Sequence, residues 1–61
     1  MRVKFEKVLG YLNYELVEEK QMTKRELDNY IQENLDNEID AGVAEWFFET
    51  PERGKWRVSV A

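Results

Sequence analysis

Asp36, Glu38 and Asp40, within the stretch DNEIDAG, alternate as the opening ligands of a calcium-binding loop do. Carboxylates at that spacing converge on a hard cation only where a glycine turns the chain sharply behind them and a bidentate acid closes the far side. Ala41 stands where that glycine belongs and Phe47 where that acid belongs. The stretch therefore reads as a solvated acidic segment, and no metal is expected. Other chemistry is equally short of parts. The chain has no histidine and no cysteine, leaving carboxylates, lysines, tyrosines and the hydroxyls of Thr23, Thr50 and Ser59 as candidate acids, bases or nucleophiles. Paired carboxylates can divide acid and base roles where burial drives their pKa values apart, but a chain of 61 residues has little room for the desolvated cleft this requires. Gly10, Gly42 and Gly54 are scattered rather than gathered into a phosphate-cradling loop. Neither enzymatic activity nor a cofactor is expected.

What remains is surface chemistry, and two sets of residues offer it. The first is aromatic and acidic. Tyr11, Tyr14 and Phe47 fall off the apolar stripes described below, and aromatics outside a core are enriched at protein interfaces. Asp28, Glu33 and Asp36 belong to an acidic run that could steer the chain toward a basic partner. These six residues form the candidate partner-binding set. The second set is basic: Lys24, Arg25, Arg53, Lys55 and Arg57 would be the phosphate contacts if a helix pair and a hairpin made a winged-helix-like, dimeric DNA-binding regulator. Its weakness is electrostatic. Glu26, Asp28, Glu33, Asp36, Glu38 and Asp40 would repel a duplex along the candidate recognition helix, and Glu45 and Glu49 share a strand face with Lys55 and Arg57.

Size and charge set the frame for both readings. One domain, residues 1–61, is all this length allows, and it buries only about 60% of the surface its unfolded chain exposes. No disulfide or zinc site can reinforce it. Nine basic against thirteen acidic residues give a net charge of −4, which disfavours nucleic acid on average and favours solubility. The acid is concentrated in residues 23–42, whereas residues 1–9 carry three basic residues against one acid. No apolar run reaches the roughly 18 residues of a membrane span, and the start of the chain lacks a signal-like apolar stretch. A cytoplasmic setting without membrane attachment is expected.

Three segments must position these residues. Thr23 followed by Glu26 is a capping box, and Leu27, Tyr30, Ile31, Leu35 and Ile39 then recur at helical spacing as far as Gly42, so a helix is expected over 24–40. EWFFETPERGKWRVSV alternates with period two about a Pro/Gly turn. With 50–54 as the loop, Phe48 faces Trp56, Phe47 faces Arg57 and Trp46 faces Val58, placing Trp46, Phe48, Trp56 and Val58 on one apolar face. A hairpin of 43–49 and 55–60 is expected. The N-terminal third supports two readings. Phe5, Val8, Leu9, Leu12 and Leu16 fit a helical stripe over 6–20, while RVKFE and LNYEL alternate like strands. A hairpin there would turn near KVLG, whose Val and Leu suit turns poorly, so the helix is preferred, with a short strand open to residues 2–5.

The expected architecture is α+β: two helices, 6–20 and 24–40, packed on the C-terminal hairpin, or alternatively two hairpins flanking one helix. The expected function is a small non-enzymatic interaction module, an adaptor or inhibitor that docks on another protein. Dimerisation would relieve its small core.

Overall fold

The computed structural model describes residues 1–61 and shows a single five-stranded antiparallel sheet with one helix across one face. Strands β1 (Arg2–Gly10) and β2 (Asn13–Gln21) form an N-terminal hairpin; helix α1 (Lys24–Glu33) and a 3-10 turn (Leu35–Asn37) follow; β3 (Glu38–Gly42), β4 (Glu45–Thr50) and β5 (Gly54–Val60) complete the chain. The strand order is β2-β1-β5-β4-β3, so the first and last strands lie side by side at the centre. No helix is long and apolar enough to cross a membrane.

This corrects the expected pair of helices on a hairpin in three places. Residues 6–20 belong to the two arms and the turn of a β-hairpin rather than to a helix. Period two prevails because it sends Val3 and Phe5 inward to burial, opposite Val60 and Val58 of β5. The turn falls not at KVLG but at Tyr11-Leu12, flanked by the paired Gly10 and Asn13; Leu12 takes φ 54°, a left-handed conformation rarely occupied by an aliphatic residue. The helix also stops short of residue 40. Asn34 caps it, donating from Nδ2 to the Tyr30 carbonyl at 2.9 Å, and residues 38–42 become a fifth strand in which Ile39 occupies an irregularity between Glu38 and Asp40. Gly42 thus flanks a β-turn instead of ending the helix. The alternative of two hairpins flanking one helix omits β3 and the joining of all strands into one sheet.

The C-terminal hairpin pairs Glu49 with Lys55, Phe48 with Trp56, Phe47 with Arg57 and Trp46 with Val58. Gly54 begins the return strand at φ 79°, which glycine adopts without steric cost. Because Phe5 also pairs with Val58, one face of three strands gathers the core: Val3, Phe5, Phe48, Trp56 and Val58, closed by Met22 and by Leu27 of α1. Each of the fully buried side chains is worth roughly 1.5–3 kcal/mol. Tyr30 reaches down from the helix, edge-on to Phe5 at 5.2 Å and to Phe48 at 6.0 Å. Its hydroxyl accepts the Trp56 indole N–H at 3.0 Å, which lets an indole be buried without losing its hydrogen bond. The helix start is fixed as the sequence implies: the Glu26 N–H donates to Thr23 Oγ1 at 3.1 Å and the Thr23 N–H donates to Glu26 Oε1 at 2.8 Å.

Tyr30→Phe leaves the Trp56 N–H unpartnered and should cost about 1 kcal/mol, a fall in Tm of about 4–8 °C for a domain this small. An unchanged Tm, with unchanged tryptophan emission, would show that water replaces the hydroxyl. The capping box has its own pH signature. The hydrogen bonds from the Thr23 backbone and side chain hold the Glu26 carboxyl below its ordinary 4.5. A depressed carboxylate stabilises the fold above the unfolded value and loses that contribution as pH falls through the lower folded value. Carboxyl NMR titration should therefore give Glu26 a pKa below 4.5 in the wild type and a somewhat higher one in Thr23→Ala, which keeps the backbone donor and loses the hydroxyl; equal values would show that the backbone N–H alone holds the carboxyl down.

Candidate functional site: the open face of the sheet

Helix α1 covers one face of the sheet, and the alternation of the strands dictates what the other face shows. Glu6, Val8, Lys55, Arg57, Glu45 and Phe47 alternate with core residues and therefore point away from the helix. β2 adds Tyr14, paired with Val8, and β3 adds Asp40, paired with Phe47.

The middle of this face is an ionic cluster centred on Arg57. Its Nη1 donates to Glu6 Oε1 at 2.9 Å and its Nε donates to Glu45 Oε1 at 3.0 Å, and the guanidinium lies 4.6 Å from the centroid of the Tyr14 ring. One side chain from β5 thus ties down β1, β4 and β2 together. The Glu6 and Arg57 side chains are only 14% and 24% exposed, so this is a shielded ion pair, stronger than the freely solvated kind. Planarity explains why arginine serves here: it forms two separately directed hydrogen bonds and stacks on an aromatic ring with the same group.

Above the cluster the face turns apolar. Tyr14 and Phe47 approach to 6.4 Å between ring centroids, and with Val8 and Ile39 they line a concavity of about 550 Å³. The β1–β2 tip forms one wall, through Tyr11 and Leu12, and Lys55 and Asp40 supply the charges at its edge. Tyr11 is 94% exposed, Leu12 71% and Ile39 50%. An open, mostly apolar hollow of this size can bury one or two projecting apolar side chains and meet a charge of either sign beside them.

The candidate partner-binding residues divide between two surfaces. Tyr11, Tyr14 and Phe47 come together around the concavity. Asp28 and Glu33 lie on α1 and Asp36 on the 3-10 turn, away from it, and Asp28 is engaged by Lys24 Nζ at 3.0 Å. The basic set is also dispersed. Lys24 and Arg25 begin the helix, the Arg53 guanidinium lies 4.0 Å from the centroid of Trp56, Arg57 is held by two glutamates and Lys55 lines the concavity. With one helix in the fold, the helix pair of a winged-helix module is missing. Leu12 and Ile39 were assigned to helical stripes by the sequence and are instead part of the open face; the signal for the first was GYLN, a turn between Gly and Asn. No family model, curated protein or solved structure matches the chain.

Arg57→Ala would leave Glu6 and Glu45 facing each other without a cation. The expected loss is about 2–3 kcal/mol, between the values for exposed and buried pairs, read by urea denaturation. Arg57→Lys should recover less than half, since one ammonium cannot reproduce two directed bonds and a stack. A loss below about 0.5 kcal/mol for the alanine variant would place the cluster among ordinary surface pairs.

Proposed function

We propose that the protein is a small non-enzymatic interaction module whose working surface is the open face of its sheet. The observation that carries this reading is the apolar concavity beneath the Tyr11-Leu12 tip, where residues of four strands leave aliphatic and aromatic surface in water on the side that no helix covers. Contiguous exposed apolar surface of this kind, rimmed by charge, marks sites of association. The tip adds a second reason. Leu12 holds a left-handed conformation that costs an L-residue on the order of 1–2 kcal/mol, and strain of this kind gathers where a side chain must be presented in one direction. Docking relies on shape and apolar burial here more than on the helix acids, which lie on the other side of the molecule. The cysteine-free composition suits a cytoplasmic setting for such a module.

The test is affinity capture by tagged protein from a lysate that also contains the untagged chain, comparing wild type with Tyr11→Ser/Ile39→Lys. Both residues are exposed, so the fold should survive, as circular dichroism will verify. At least one protein, the chain itself included, should be held by the wild type and lost by the variant. Identical captured sets would sink this reading.

A further inference from the structure

Resting on that reading of the open face, we propose that its occupant is a second copy of this chain, related by a two-fold axis, so that the β1–β2 tip of each copy fills the concavity of the other. An isologous contact requires one patch to carry both a projection and the recess that receives it. The open face has both side by side. Tyr11 and Leu12 project from the tip into solvent, and the recess they flank has a volume of about 550 Å³.

The charges follow the same rule. Lys55 and Asp40 both line the concavity, and neither belongs to any of the ion pairs of the fold. In a two-fold arrangement where Lys55 of each copy meets Asp40 of the other, one cation and one anion per chain produce two complementary contacts. Of the other charges of this face, Glu6, Arg57 and Glu45 are engaged with one another and sum to −1, while Lys4 and Glu49, of opposite sign, also alternate onto it, so an incoming copy meets a single excess negative charge. The net charge of −4 repels two copies at long range, but that repulsion is screened beyond about 10 Å at 0.1 M salt, whereas the apposed pairs act at contact. A core of seven buried apolar residues supplies the motive: association buries the aliphatic surface that the single helix leaves uncovered.

Sedimentation equilibrium across roughly 5–500 μM, the range in which a contact of a few apolar anchors is expected to associate, should show the mass rising from 7.4 kDa toward twice that value. Asp40→Lys alone and Lys55→Asp alone should each weaken association about tenfold, and the combined swap should restore it to within about threefold, the coupling expected of residues in contact. Leu12→Gly should abolish the dimer and, at concentrations where the wild type is monomeric, raise the Tm by releasing the left-handed strain. A mass fixed at 7.4 kDa would overturn the second copy as occupant; if affinity capture still distinguished the Tyr11→Ser/Ile39→Lys variant, the open face would belong to a different protein. A dimer indifferent to both charge reversals and to Leu12→Gly would be formed elsewhere and would equally overturn the proposal.

Discussion

A ten-residue helix cannot cover a five-stranded sheet twice. At 1.5 Å per residue α1 is about 15 Å long, whereas five strands spaced about 4.8 Å apart span some 19 Å between the outer strand axes. With one such helix in the chain, only one sheet face can be closed, and the position of the helix determines nearly everything else. Val3, Phe5, Phe48, Trp56 and Val58 become core because they lie beneath it. Their neighbours in the alternation must be tolerable in water or be covered by something outside the chain.

Two different solutions to that demand share the open face. In its middle the sheet uses charge: Arg57 joins Glu6 and Glu45 while its guanidinium covers part of Tyr14, so polar groups shield the backbone at the junction of four strands. Pairing β1 with β5 needs this more than the other junctions do, because it brings together residues 49 to 57 apart in sequence and bears the largest loop-closure cost. Near the β1–β2 tip the sheet uses no such device. Val8, Tyr14, Ile39 and Phe47 meet there with no helix above them, so the two halves of one face differ in chemistry, and the proposed association rests on that difference.

The sequence is legible where local rules and tertiary packing agree. The Thr23–Glu26 box and the register of β4 with β5 could be read directly, because a cap and a two-period hairpin are specified by residues within a few positions of one another. The N-terminal hairpin was obscured because Phe5, Val8, Leu9, Leu12 and Leu16 satisfy a helical stripe by spacing alone. Their apolar character comes from two sources: Phe5 faces the core, while Leu9, Leu12 and Leu16 are exposed. A set mixing buried strand residues with exposed ones has no single period, and a helical stripe is the nearest fit. The residues beyond Asn34 misled for the same reason, since Leu35 and Ile39, counted on the helical stripe, are half exposed on a 3-10 turn and an irregular strand. Of the open face, the aromatics were legible as residues without a place in the core. Their meeting was not, because it depends on β1 and β5 lying side by side.

The two turn tips show why strain at Leu12 is better regarded as directed than as accidental. Gly10-Tyr11-Leu12-Asn13 and Gly42-Val43-Ala44-Glu45 have the same layout: a paired glycine, an exposed apolar residue, a left-handed second residue and a paired polar residue. At Ala44 the left-handed backbone carries only a methyl group. At Leu12 the same backbone carries a large side chain, where asparagine or glycine would sit with less strain. Local energetics alone would favour such a replacement, and a domain with so small a core has little stability to spare. The difference between the tips is their surroundings, since the first stands over the apolar concavity and the second does not line it. A leucine held at that cost, most of it in water, is accounted for when the state in which it is buried is an associated one, because binding to the folded form alone offsets the strain by mass action.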